Sequence, residues 1–207
     1  MLPEITGEEW SAGLDAVVDR VLEEARVDHP PVDAMAVALR LGIRVAVDAR
    51  QRGRARYVRL SGPRGRGSRA TVLLRPEPRG ERRQWAVAHE IGEHVACQVF
   101  ATLGIDPREI GPDARERAAN QLAGRLLLPG RWFADDGPAC AWDLLRLKAR
   151  YATASHELIG RRMLELPPLV IITIFDQGEL YLRQSNVPGR LPPLSPAEKR
   201  CWQTVHD

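Results

Sequence analysis

The segment Trp85–Phe100, in the middle of a 207-residue chain, most limits what the sequence can fold into. It reads as one helix, and it carries a dense polar group, His89-Glu90-Ile91-Gly92-Glu93-His94, inside otherwise apolar surroundings. On a helix, residues four apart lie about 40° apart around the axis and residues five apart about 140°. His89 and Glu93 therefore share a face, and His89 and His94 do not. Glu90 points off the side of that face. Cys97 continues the face two turns on, ~12 Å along the axis from His89, too far to meet the same small ligand. We read it as a small core residue.

The group resembles the zinc-protease motif H-E-x-x-H, in which two histidines one turn apart bind a metal and the glutamate is the general base. Here Glu93 holds the fifth position and the histidine follows as His94. Glu93 is then the side chain able to close on the same ion as His89, since carboxylate oxygen is an accepted zinc ligand. Glu90 is placed to take a proton from a water at that ion. A third ligand has to come from another element. A second helix, about Ala114 to Leu128 with Asp113 as its N-cap, offers Glu116, and Asn120 one turn on would hold a ligand or backbone group in place. His94 reads as a surface or capping histidine, with a local bulge toward the metal, or pairing with Glu90, as the alternatives. The plain alternatives are a polar helix face for His89 and Glu90, a lost site at Glu93, and a dipole-favoured first-turn glutamate for Glu116.

The rest of the chain frames this helix. Glu8 to Arg26 has apolar residues at helical spacing, with Thr6 and Glu9 as a capping box. Val32 to Leu41 is a shorter helix capped by Asp33 and stopped by Gly42. Ile43–Val47, Arg56–Leu60 and Ala70–Arg75 read as strands, the last two forming an antiparallel hairpin. Trp142 to Tyr151 and Ser155 to Leu166, with Tyr151–Ala154 as the turn, outline a helix-turn-helix. Leu169–Phe175 and Glu179–Arg183 flank the turn Asp176-Gln177-Gly178 as a closing β-hairpin, and Ser195-Pro196-Ala197-Glu198 starts a last helix. We place a first domain at 1–137 and a second segment, holding the helix-turn-helix, hairpin and Pro-rich tail, at 138–207.

Composition removes several classes. No apolar run approaches the ~18 residues of a membrane span, and the N-terminus lacks a signal-peptide plan, so we expect a cytoplasmic protein without a membrane partner. The three cysteines are scattered and form no C-x-x-C, which argues against a disulfide framework or a cysteine zinc site. A net charge of +3 does not demand nucleic acid. Eight arginines do cluster from Arg50 to Arg69, around Gly53, Gly62, Gly65 and Gly67. They read as a solvated hairpin with a loose tip, or as a phosphate-binding patch. Arg161 and Arg162 on the second helix of the helix-turn-helix are the other weak support for DNA.

Three segments are similar to the ImmA/IrrE-like metallopeptidases. Arg69–Leu74 followed by Glu81–Gly92 resembles the strand and "AHELGH" helix of that family. Glu116-Arg117-Ala118-Ala119-Asn120-Gln121-Leu122-Ala123-Gly124-Arg125-Leu126-Leu127-Leu128-Pro129 resembles its "E-x-x-A-N-x-F-A-x-x-L-L-M-P" segment and is the more specific match. Asp143 to Leu164 resembles its "V-S-x-x-A-L-x-x-R-L" helices, and Pro31 to Ile43 its opening. The resemblance covers about 30–166. It implies an α+β fold: a small zincin-like metallopeptidase domain with a short antiparallel sheet packed on helices, plus the helix-turn-helix-like segment and C-terminal β-hairpin. It also implies His89 and Glu116 as metal ligands, Glu90 as general base, one divalent metal, and cleavage of a regulatory protein, often a helix-turn-helix repressor, in stress response or mobile-element control. Glu93 stands where the family has its second histidine. Two carboxylates and one imidazole neutralise a dication, which weakens polarisation of water and of a substrate carbonyl. The oxygen-rich set also moves preference from zinc toward manganese or iron(II). An altered metal, a slower enzyme, and an inactive pseudo-peptidase serving as a regulatory or DNA-binding module are the branches this leaves.

Overall fold

The computed structural model describes residues 5–61 and 68–206. The loose tip expected around Gly62, Gly65 and Gly67 lies outside the described residues. By compactness the chain divides into two units, Met1–Ser155 and His156–Asp207. The division falls between the two helices of the helix-turn-helix-like segment.

The first unit opens with α1 (Gly7–Glu24). Its capping box forms as expected: the Glu9 amide donates to the Thr6 hydroxyl and the Glu9 carboxylate accepts from the Thr6 amide. In α2 (Ala34–Arg40) the Asp33 carboxylate accepts from the amides of Met35 and Ala36. Gln84 then ties this start to the central helix, accepting from the Ala34 amide and donating to Asp33. Gly42, at φ +73°, ends the element in the left-handed conformation that favours glycine.

Strands β1 (Arg44–Val47), β2 (Ala55–Ser61) and β3 (Ser68–Leu74) form one sheet in the order β1-β3-β2. The β2–β3 hairpin is antiparallel, with Tyr57 opposite Val72. The sheet is not wholly antiparallel, however, because β1 pairs with β3 in parallel, Val45 opposite Val72. Two chain reversals, into β2 and out of it, restore the direction of β1, and β3 takes the centre because Thr71, Val72 and Leu74 are its buried positions. That leaves β2 at one edge.

The central helix, α3 (Gly80–Thr102), begins more than a turn before the apolar pattern does. It packs most extensively on α4 (Pro112–Leu127). Ile91 and Val95 of α3, Leu122 and Leu126 of α4, and Val17, Val18 and Val21 of α1 meet along one internal seam. Burying side chains of this size is worth about 1.5–3 kcal/mol each, enough to fix how α3 and α4 cross. Asp113 is not the N-cap of α4; the helix starts on Pro112 after Gly111, with no side-chain cap. Pro fits the first helical turn because its missing N–H would be unpaired there in any case. Arg125 of α4, buried, donates two 2.9 Å bonds to the Asp15 carboxylate of α1.

A helix that the sequence did not announce, α5 (Gly130–Ala139), follows Pro129 directly. It delivers Phe133 into an aromatic cluster with Trp142 and Tyr151. The buried Asp136 of α5 accepts from the Tyr151 hydroxyl and from Arg150, at the end of α6 (Leu144–Arg150).

In the second unit, α7 (His156–Met163) is followed by the hairpin β4 (Ile171–Asp176) and β5 (Glu179–Ser185) and by α8 (Pro196–His206). Arg161 is bound to Glu157 and Arg162 to Glu165, so both arginines of the expected DNA-reading face are engaged within the unit. The carboxylate of Glu198 fastens α8 to the hairpin, accepting from Arg183, from the Thr173 hydroxyl and from the Ser195 amide. The Arg183 guanidinium first, then Thr173 and Ser195, holds this carboxyl well below the usual glutamate range. A depressed folded-state value contributes stability that is complete above the unfolded value near 4.5 and is lost as pH falls from there through the depressed folded value. We expect acidification below that point to release the Trp202 indole from its bond to the Gly178 carbonyl, followed by the indole resonance. In Glu198→Gln the indole should be looser at neutral pH, and the acid-dependent step should disappear.

Among the described residues no helix is long and apolar enough to cross a membrane.

Candidate metal centre

Two helices and one strand edge build the site. Helical spacing puts His89 and Glu93 on the α3 face that meets α4, and the first turns of α4 carry Glu116 to the same place. His89, Glu93 and Glu116 each offer a ligand atom, all within 4.8 Å of one another. Four ligands held tetrahedrally at ~2.1 Å from a zinc ion lie roughly 3.4 Å apart. His89 Nε2 and Glu116 Oε2, at 3.7 Å, are close to that spacing already. The donor set, one imidazole and two carboxylates, fits a divalent cation.

The two oxygens of Glu116 divide their work. Oε2 faces His89, while Oε1 accepts from Asn120 Nδ2 at 3.0 Å. Asn120 thus limits rotation of an otherwise exposed carboxylate. Glu90 is buried beside the triad and accepts from the Tyr57 amide of β2 at 2.5 Å. Burial pushes the Glu90 carboxyl above the usual range, against the Tyr57 bond and the nearby His89; Glu93 and Glu116 add to the rise.

The structure brings together four of the residues singled out from sequence, His89, Glu90, Glu93 and Glu116, with Asn120 behind Glu116. It leaves His94 outside the triad. That ring lies against Tyr57, with centroids 5.3 Å apart. Although His94 is exposed overall, loss of water on the Tyr57 side, and then the charge of Arg59, lowers its ionisation below the usual histidine value, with Glu24 opposing. Cys97 is half-buried and lines the cleft rather than the core.

Sequence reasoning missed the walls. The cleft, about 440 Å³, is also lined by Arg56, Tyr57 and Arg59 of β2 and by Arg115 of α4. Nothing local marks β2 as a cleft edge, though Arg115 is adjacent to Glu116. Gly92 was also passed over. A Cβ there would stand 2.6 Å from the Ala119 carbonyl oxygen, so glycine is what allows α3 and α4 to approach. A glycine inside a helix costs about 1 kcal/mol relative to alanine, which is itself a signal that a neighbour needs the space.

Residues 38–163 match the family model described as the IrrE N-terminal-like domain, Peptidase_M78. Among curated proteins there is no match. A solved structure of a Mycobacterium tuberculosis transcriptional regulator superimposes with a TM-score of 0.58 at 21% identity, over 86% of this chain and 56% of that one. The chain thus spans little more than half of that structure, and at this identity the likeness is one of fold.

Proposed function

The chain belongs to the Peptidase_M78 family of IrrE N-terminal-like domains, and from that premise we propose that the α3/α4 cleft is the site of a metal-dependent endopeptidase acting on a regulatory protein. The observation that carries this is the convergence of His89, Glu93 and Glu116 within 4.8 Å, with Glu90 buried alongside. A divalent ion held by those three residues would supply the Lewis acidity that activates water and polarises a peptide carbonyl. Zinc is the first candidate, with manganese or iron(II) favoured by the second carboxylate. Glu90 accepts the proton of the attacking water and returns it to the leaving amine. Asn120 holds Glu116 in its ligand rotamer, and the Tyr57 amide fixes the Glu90 carboxylate. The substrate we propose is a helix-turn-helix repressor in stress response or mobile-element control.

Protein purified without chelator is expected to carry about one equivalent of divalent metal per chain, the number one His/Glu/Glu set can hold. It should cleave a repressor-type protein, and chelation should stop the cleavage. Absence of stoichiometric metal would sink the proposal.

Glu93 also favours a second reading, a pseudo-peptidase that regulates by binding; the solved structure named a transcriptional regulator is in keeping with it. It predicts tight partner binding or salt-sensitive DNA binding without cleavage. Glu93→His separates the two. Imidazole suits zinc better than a second carboxylate does, so zinc affinity should rise about tenfold or more, a step of 1.4 kcal/mol. Calorimetry with zinc alone reads this; cleavage already measurable in the unaltered chain and raised in parallel assigns the peptidase role, whereas cleavage that appears only in Glu93→His assigns the pseudo-peptidase.

A further inference from the structure

The arginine-rich strand that the sequence offered as a phosphate patch is a wall of the candidate cleft. Arg56 and Arg59 of β2 line it from one side and Arg115 of α4 from the other, together with Glu90, Glu93 and Glu116. Those three arginines and three glutamates balance. A dication in the triad leaves the lining with two positive charges in excess, with the histidines neutral. The Nε of Arg115 is buried and has no hydrogen-bond partner among the described residues, and the same is true of the Tyr57 hydroxyl across the cleft. Buried donors are normally satisfied, and both of these belong to side chains that line the one cavity. A guanidinium is the side chain best matched to a carboxylate.

We infer that the cleft selects a peptide segment carrying a carboxylate side chain next to the bond it presents to His89, Glu93 and Glu116. The inference rests on the peptidase reading for its position and deepens it by naming the substrate class. Acidic peptide is favoured over nucleic acid because Arg56, Arg59 and Arg115 line a recess around a metal-type triad.

The test uses the full chain carrying Glu90→Gln, so that bound peptide stays intact, with zinc added and its content measured in the same sample. Three fluorescein-labelled peptides, identical except for glutamate, glutamine or lysine at the central positions, are titrated by anisotropy at low and high salt. The glutamate peptide should bind about tenfold tighter than the glutamine peptide, the factor that 1.4 kcal/mol makes, and the difference should shrink with salt. Arg115→Gln and, separately, the exposed Arg59→Gln should each remove most of that preference, and Arg115→Glu should turn it toward lysine. Thermal melts of each variant confirm that it is folded. Equal binding of the glutamate and glutamine peptides overturns the inference. So does mixed-sequence duplex DNA that displaces the glutamate peptide through the same arginines, since that assigns them to nucleic acid. A sample that takes up no zinc but keeps the glutamate preference overturns the peptidase reading alone.

Discussion

On the proposed function, Glu90→Gln should leave a folded, metal-loaded protein whose cleavage of a repressor-type protein is slower by a factor of about 10²–10⁴, the usual contribution of a positioned general base. The choice of glutamine follows from the geometry. The Tyr57 amide donates to a Glu90 side-chain oxygen, and the carbonyl oxygen of glutamine can still accept that bond. Removing the acceptor altogether, as in Glu90→Ala, would leave a buried amide unpaired at a cost of about 1–3 kcal/mol and confuse folding with chemistry. Glutamine takes away the one property at issue, the ability to receive a proton. Because Glu90 lies outside the His89/Glu93/Glu116 triad, bound metal should be unchanged by elemental analysis. Undiminished cleavage by Glu90→Gln would exclude Glu90 as the base. Loss of cleavage together with loss of metal would make it a ligand instead, and the triad would have to be redrawn.

How much of this was legible in the sequence depends on how local the determinants are. The capping box of α1 and the N-cap of α2 are fixed by residues within three positions of one another, so Thr6, Glu9 and Asp33 could be read directly. The pairing of His89 with Glu93 over His94 follows from helical angle alone, and the structure keeps it. The third corner, Glu116, depends on how two helices cross, and no periodicity in either one states that; its sequence segment pointed there only through similarity to a family. Helix α5 is not announced locally because Gly130, Gly137 and Pro138 are poor helix formers, whereas Phe133 and Asp136, packed and bonded against Tyr151, override that propensity. The parallel partnership of β1 with β3 was hidden because alternation along a strand names its faces and not its neighbour's direction. The cleft walls, Tyr57, Arg59 and Arg115, come from a strand and a helix far apart in sequence, and only the fold joins them.

The non-local determinant most exposed to a single change is Gly92. Gly92→Ala should cost at least 1–3 kcal/mol of stability, as overpacking typically does, although alanine is the better helix former. The added methyl would stand 2.6 Å from the Ala119 carbonyl oxygen, 3.1 Å from its Cα and 3.2 Å from its carbonyl carbon. All three are backbone atoms of α4, so no side chain can rotate aside. To restore ordinary contact the helices must part by roughly 0.5–1 Å. Glu93 is next to this contact on α3, and Asn120 is next to it on α4, one turn from Glu116. Separation there therefore widens the gap between His89 and Glu116, now 3.7 Å. Metal–ligand distances tolerate about ±0.2 Å, so the set should lose its third corner before the fold is lost. Zinc affinity, measured by competition with a chromogenic chelator, should fall at least tenfold, about 1.4 kcal/mol. Gly80→Ala is the control: it lies in the first turn of the same helix with nothing within 4 Å of the new methyl, and it should bind zinc as the parent does. Unchanged zinc affinity and melting temperature in Gly92→Ala would show that the helices can slide without opening the triad. A lowered melting temperature with unchanged affinity would separate the crossing from the metal centre. Coupled losses would place the spacing of the ligands, and with it any chemistry at this site, under the control of one missing methyl group.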